Sequence, residues 1–145
     1  MTPAPAGYVI QYAGHGGLRG ECSVEGLVEL ASLLEDLNAR GCSATAIRHA
    51  ADPSALQVQT GETAILAEFL VCTDAQPVGW LRAWAESPAE ACTTVAEAFP
   101  SARLAAVVAP DGRTAAFRID RQGPHVIEEA VSWRGGDRAF GRVRG

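Results

Sequence analysis

The chain has 145 residues, of which 48% are hydrophobic and 20% are charged, a composition typical of one globular domain with a buried core. Its formal net charge is −5, and all 12 basic residues are arginine. The absence of lysine excludes P-loop, Schiff-base and kinase-type lysine chemistry, and we predict no cofactor. None of the four cysteines lies in a C-x-x-C pair, so no zinc finger or ribbon is predicted.

The N-terminal segment, residues 1–7, has neither a positive region nor an apolar run. We predict a disordered leader rather than a signal peptide, and no stretch of the chain is long and apolar enough for a membrane span. These features favour a cytoplasmic protein without membrane contact, in which the cysteines are reduced.

The first predicted strand is Tyr8–Ala13, which is rich in β-branched and aromatic residues. Gly14–Ser23 follows as a glycine-rich loop, and Ser23 is predicted to cap the next helix. That helix spans residues 24–40, because leucine and valine recur there at helical spacing. Gly41 is the predicted C-terminal cap of the helix.

Three further strands are predicted before Gln76-Pro77 interrupts the chain. They span Ala44–Ala50, Leu56–Gln59 and Ala64–Cys72, with a turn at Thr60–Thr63 between the last two.

The second half begins with a predicted strand at Gly79–Glu86. Ser87-Pro88-Ala89-Glu90 is a capping box, and the helix that it starts ends before Pro100. Three strands follow, at Arg103–Ala109, Thr114–Asp120 and about residues 125–133.

This element order predicts an α+β fold with a mostly antiparallel sheet and two helices. Each half consists of a strand, a helix and three strands, and the halves meet near residues 75–78. One interpretation is a pseudo-duplicated unit, and the other is an α+β sheet that is simply covered by two helices. The predicted domain spans residues 1–133, followed by a basic Arg/Gly tail at 134–145.

The glycine-rich loop is the first candidate site. A helix beginning at Ser23 would lower the pKa of Cys22 and favour its thiolate. His15 could act beside it, and Arg19 could hold an anionic substrate. Glu21 opposes thiolate formation at Cys22, and the alternative is a plain connection between strand and helix.

A second candidate rests on layout, because paired units of one strand, one helix and three strands resemble the vicinal oxygen chelate proteins. That resemblance implies metal ligands from both halves and an enzyme or resistance protein. The matching positions here are His15, Glu68, Glu86 and Glu128 or Glu129, with His49 and His125 as further candidates. We predict no metal site from the spacing itself.

The third candidate is the strand face formed by Trp80, Arg82 and Trp84, which Trp133 could join. Tryptophan and arginine dominate binding hot spots, so the face is either core or a partner site. The tail contains four arginines, of which Arg138 and Arg142 are candidates for partner contact. Nucleic acid is a further alternative for the tail, but the acidic body opposes it.

The order of strand, leucine-rich helix and strand, with the hairpin around Leu56–Val71, resembles polymorphic-toxin immunity proteins over the first half of the chain. The sequence lacks the dense cluster of His, Asp, Glu and Cys that most small enzymes contain, and for this reason we predict a non-catalytic bacterial accessory protein of immunity, chaperone or regulator type that binds a protein partner. An enzyme remains the alternative, and a homodimer remains open.

Overall fold

The computed structural model describes residues 7–61, 64–75 and 79–134, with side chains described up to Ala130. Within these residues it contains nine strands, two α-helices and two short 3-10 turns at His15–Gly17 and Pro53–Ala55. The strands are β1 Tyr8–Ala13, β2 Arg19–Val24, β3 Ser43–His49, β4 Val58–Thr60, β5 Ile65–Thr73, β6 Trp80–Ala85, β7 Leu104–Val108, β8 Arg113–Asp120 and β9 Gly123–Arg134. The helices are α1 Leu27–Ala39 and α2 Pro88–Ala98. The predicted α+β class, with a mostly antiparallel sheet and two helices, is confirmed.

The described strands form one sheet in the order β2-β1-β3-β9-β8-β7-β5. Strand β6 pairs with β5 at residues where β7 also pairs, so β6 and β7 lie on opposite sides of β5. Strand β4 shares the side of β7, because Ala67 of β5 pairs with both Val58 of β4 and Ala85 of β6. In the described sheet, β2 and β6 therefore each have a free side, as does the short β4, which pairs with β5 alone. Its one parallel pair joins β3 and β9.

The two helices cover opposite faces of the sheet, as the side chains of β7 show. Leu104 and Ala106 belong to the hydrophobic cluster around α1. Ala105 and Val107, which alternate with them, belong to the cluster around α2. All of β7 is consequently buried, which explains why its sequence is a continuous apolar run rather than an alternating one.

A topological repeat relates β1-β2-α1-β3 to β5-β6-α2-β7. In each unit a hairpin leads into a helix, and the returning strand pairs with the first strand of the hairpin on its free side. The two helical crossovers start from parallel strands and run in opposite directions across the sheet. Because the two crossover connections run in opposite directions, the same handedness places their helices on opposite faces of the sheet, as observed. This repeat unit differs from the predicted unit of one strand, one helix and three strands, because the sequence did not indicate β2.

The predicted helix start at Ser23 is wrong. Ser23 lies in β2, paired with Val9, and α1 begins at Leu27 after Gly26, which makes no side-chain cap. The chain folds back earlier because Gly16 and Gly17 adopt positive φ angles of 70° and 79° and form a tight turn. The predicted glycine-rich loop thus consists of a tight turn and most of the second strand of a hairpin.

The predicted end of α1 is confirmed at Gly41, which has a φ of 83°. The Cys42 N–H donates to the Leu37 carbonyl at 2.8 Å, and the Gly41 N–H donates to the Asn38 carbonyl at 3.1 Å. These two bonds define a Schellman motif, in which glycine avoids the steric cost of a left-handed residue.

The sheet is strongly curved. The ring of Trp80 on β6 lies 5.6 Å from that of His49 on β3, although four strands lie between them in the sheet order. A flat sheet would separate these strands by about 24 Å, at roughly 4.8 Å per strand. Burial raises the pKa of the Tyr8 hydroxyl far above its ordinary range, which fits a site enclosed by the curved sheet and α1.

We expect Ser87→Ala to lower the free energy of unfolding by about 1 kcal/mol, because the Ser87 hydroxyl accepts the Glu90 N–H at 3.1 Å at the start of α2. Thr93→Ala is the control, since this hydroxyl donates to the Ala89 carbonyl inside the same helix. Urea denaturation measures both variants. Equal effects would show that the cap does not stabilise α2 specifically.

An exposed ion pair ties α1 to β8. Arg118 donates from Nε at 2.7 Å and from Nη2 at 2.8 Å to the two carboxylate oxygens of Glu35. The hydrogen bond from Arg118 lowers the pKa of Glu35. The pair therefore stabilises the fold above the ordinary glutamate pKa, and this contribution is lost as the pH falls through the lowered value.

We expect Arg118→Met to reduce the free energy of unfolding by about 0.5 kcal/mol near neutral pH, since both side chains are nearly half exposed. The difference from the native chain should vanish in acid, where Glu35 is protonated. Urea titrations across the pH range measure it. Arg40→Met removes the more exposed pair with Asp36 and should show a smaller effect. A pH-independent loss at Arg118 would contradict this assignment.

Candidate functional site

The side chains of β6 alternate between the two faces of the sheet as the sequence predicted. Leu81, Ala83 and Ala85 belong to the cluster around α2. Trp80, Arg82 and Trp84 point to the other face, which α1 covers only in part. The three predicted partner-binding residues are therefore brought together on one strand, but their environments differ.

Trp80 is a half-buried core residue. Its ring centroid lies 5.6 Å from that of His49, with the planes tilted by 45°, and it packs against two hydrophobic clusters. His49 itself is buried, and its Nδ1 accepts the Ala51 N–H at 3.2 Å. Nε2 therefore carries the proton and donates to the Thr114 hydroxyl at 2.9 Å. These bonds fix the imidazole that supports Trp80.

Trp84 is the exposed tryptophan of this face, with 37% of its surface accessible. It lies opposite Glu68 of β5, whose carboxylate is 3.4 Å from Nη1 of Arg82. The Glu68 side chain is only 10% exposed, whereas that of Arg82 is 57% exposed. Glu68 thus holds Arg82 beside the indole. We call Glu68, Arg82 and Trp84 the Trp84 patch.

The Trp84 patch lies at an edge of the sheet. Among the strands of the described ranges, β6 pairs with β5 alone. Its outer side therefore presents backbone N–H and C=O groups that no described strand uses, and such an edge is a template for another strand. The sequence analysis identified the two tryptophans, but no local sequence pattern indicated that the buried Glu68 pairs with Arg82 beside them.

The candidate catalytic residues of the glycine-rich segment are separated by the β1-β2 hairpin. His15 lies in the exposed 3-10 turn, Arg19 begins β2, and Cys22 lies within β2 opposite Ile10. Arg19 and Cys22 are three residues apart on one strand, so their side chains point to opposite faces. Helix α1 starts five residues after Cys22, at Leu27, and the predicted helix-dipole activation of Cys22 is therefore wrong.

The other three cysteines, Cys42, Cys72 and Cys92, are buried and free. Burial raises the pKa of the Cys72 thiol, and it raises that of Cys92 to about 11. The prediction that Cys72 and Cys92 are small core residues is consistent with these positions. A raised pKa disfavours the thiolate, so both are inert as nucleophiles near neutral pH.

The candidate metal ligands are distributed over the fold: His15 in the hairpin turn, Glu68 on β5, Glu86 after β6, and Glu128 and Glu129 on β9. The part of the chain that the structure describes contains no group of three or more His, Cys, Asp or Glu side chains able to hold a metal ion.

The remaining metal candidates have other surroundings. His49 supports Trp80, as described above. His125 lies 2.9 Å from Asp120 and lowers the pKa of that carboxyl. Glu128 is partly buried, and this burial raises the pKa of its carboxyl.

Two predicted contact regions cannot be placed on this face. For Trp133 the structure gives only the backbone, which pairs with Arg48 of β3. Arg138 and Arg142, with the rest of residues 135–145, lie outside the described residues, as do residues 1–6 of the predicted leader.

A cavity of about 520 Å³ lies elsewhere, between α2 and the β8–β9 turn. Two of its polar side chains make contacts within the chain. Arg103 donates to the carbonyls of Pro100 and Ala102, and Asp120 holds His125.

Comparisons with protein-family models, curated proteins and solved structures gave no match for this chain. Neither described α-helix, of 13 and 11 residues, has the length and apolar character needed to cross a bilayer.

The two tryptophans of β6 should respond differently to truncation. We expect Trp80→Ala to lower the free energy of unfolding by about 2–3 kcal/mol, because it opens a cavity beside His49 and two core clusters. Trp84→Ala should cost less than about 1 kcal/mol, because this side chain is more exposed. Urea denaturation of both variants measures the difference. A larger loss at Trp84 would show that this indole is structural.

Proposed function

We propose that this protein is a non-catalytic module that binds an extended segment of a protein partner along the edge of β6. The observation that carries the proposal is the Trp84 patch, an exposed indole held beside an anchored arginine on an edge strand. An immunity-type inhibitor, a chaperone and a regulator each act by binding a partner, and the proposal concerns that shared binding step.

The indole of Trp84 supports the proposal through its exposed area. A tryptophan contributes up to about 250 Å² of contact area, so an exposed fraction of 37% corresponds to about 90 Å². At about 25 cal/mol per Å², covering that area would contribute on the order of 2 kcal/mol to binding. This is the magnitude typical of a hot-spot residue.

Arg82 supports a polar contact next to this anchor. One guanidinium nitrogen faces Glu68, and the five N–H donors of arginine leave others able to reach a partner carboxylate or carbonyl. Because Glu68 restrains the side chain before binding, less conformational entropy is lost when a partner binds. The preferred partner segment therefore has an apolar side chain next to an acidic one.

The backbone of β6 supports the strand geometry of the complex. A segment added to a sheet edge gains main-chain hydrogen bonds, while alternate side chains contact one face. Arg82 and Trp84 are two residues apart on β6, so successive same-face side chains of an added strand would meet them in turn.

The experiment is a selection of displayed random peptides against the intact chain, followed by titration of the purified peptides. We expect Trp84→Ala to raise the Kd of the selected peptides about tenfold or more, which corresponds to a loss of about 1.4 kcal/mol. Amide shifts in the complex should be largest along β6.

The matched control is Val126→Ala on β9, because Val126 is also an exposed apolar side chain, with 61% of its surface accessible. This change should leave the Kd unaltered. If the selected peptides bind equally well without the Trp84 indole, or shift β9 rather than β6, the proposed binding surface is wrong.

A further inference from the structure

A second surface lies on the face of β6 that carries the Trp84 patch, at the start of that strand. It is a groove of about 380 Å³ between the beginning of α1, the beginning of β1 and the end of β5. We call it the α1 groove. Its lining includes the aromatic and thiol side chains of Tyr8, Trp80 and Cys72 and the carboxylates of Glu25, Glu29 and Asp74.

The charged residues that line the described part of the α1 groove are all acidic. Glu25, Glu29 and Asp74 are exposed, so their charges face solvent at its rim. The positive end of α1 also faces the groove, but it is equivalent to only about half a unit charge. Three carboxylates outweigh it, and the groove therefore favours a cation. Trp80, which is only partly buried, supplies an aromatic ring on which a guanidinium stacks, whereas Tyr8 forms the buried floor of the groove.

The chain itself supplies arginines close to this groove. Strand β9 ends at Arg134, which pairs with His49 of β3, and Tyr8 of β1 pairs with His49 from the other side. The backbone after Arg134 therefore starts two strands, about 10 Å, from the backbone of Tyr8 in the groove lining. Residues 135–145 carry Arg138, Arg142 and Arg144 against one aspartate. In an extended conformation these residues span about 36 Å, at roughly 3.3 Å per residue, which is enough to reach the groove.

We infer that the segment 135–145 of this chain docks in the α1 groove, with an arginine guanidinium placed between the carboxylates of the rim and the ring of Trp80. The contact is intramolecular, since the segment follows directly from the neighbouring strand. It is independent of the Trp84 patch, so either proposal can fail without the other. An acidic protein surface that captured the arginines would compete with the groove.

The test uses the absence of lysine from the sequence. Arg142→Lys, or Arg138→Lys in a second variant, keeps the positive charge and introduces a single ε-amine. A carbodiimide then joins this amine to a carboxylate in direct contact with it, and mass spectrometry locates the new amide bond. We expect coupling to Glu25, Glu29 or Asp74 to exceed coupling to all other carboxylates of residues 7–134 severalfold. The yield should fall severalfold at about 1 M salt, where the Debye length is about 3 Å.

The control is Arg40→Lys, because Arg40 lies 3.2 Å from Asp36 and must give that linkage under the same conditions. The α-amine of Met1 reports on the rival occupant, residues 1–6, in the same reaction. Three outcomes would each overturn the inference. The Met1 amine couples to the groove carboxylates while the introduced lysine does not, or the introduced lysine couples evenly to carboxylates over residues 7–134. In the third outcome, coupling occurs only between two molecules.

Discussion

Strand β7 is the constraint on which the rest of the fold depends, because both helices pack on it from opposite faces. All five residues of β7 are buried, and the three at its centre are Ala105, Ala106 and Val107. On β8, alanine also faces two of these residues, since Ala116 pairs with Ala106 and Ala115 pairs with Val107. Small side chains at the centre leave room for the leucines of α1 on one face. The other face receives the smaller Ala91, Cys92 and Val95 of α2.

The curvature that encloses α1 also determines which residues of β6 are structural. Tyr8 of β1 and Cys72 of β5 line the same groove only because the sheet curls around the helix. The same curl brings Trp80 of β6 within 5.6 Å of His49 on β3. Trp84 lies four residues further along β6, at about 3.3 Å per residue, and is beyond the contacts that bury Trp80. Trp80 is therefore part of the core, and Trp84 is left exposed.

Local signals predicted much of this architecture. The capping box at Ser87 and the glycine at position 41 each correspond to specific backbone hydrogen bonds, and both helix boundaries that they predict are confirmed. Strand β2 was missed because Gly20 and the glycines that precede the strand suggested a loop, although the alternating exposure from Arg19 to Val24 is that of a half-buried strand. The parallel pairing of β3 with β9 joins segments more than 80 residues apart, which no local pattern encodes.

The candidate site was only partly predictable for the same reason. Alternation along β6 placed Trp80, Arg82 and Trp84 on one face, and that much depends on strand geometry alone. Whether each indole is buried depends on contacts between distant strands. His49 of β3 covers Trp80, whereas Trp84 stays exposed. The buried carboxylate that holds Arg82 comes from the neighbouring strand at Glu68, through a register fixed by the β5–β6 pairing.

Because the two proposed surfaces share one face of β6, their relation follows from the strand's geometry. Trp80 at its start lines the α1 groove, and Trp84 near its end carries the patch, about 13 Å away. A short segment on the edge beside Arg82 and Trp84 would not reach the groove. A longer one that followed all six residues of β6 would arrive at its acidic rim, where arginine is favoured over glutamate or aspartate. The strand would then select a partner with an acidic residue opposite Arg82 and a basic residue toward Trp80, provided that the chain's own arginines are displaced.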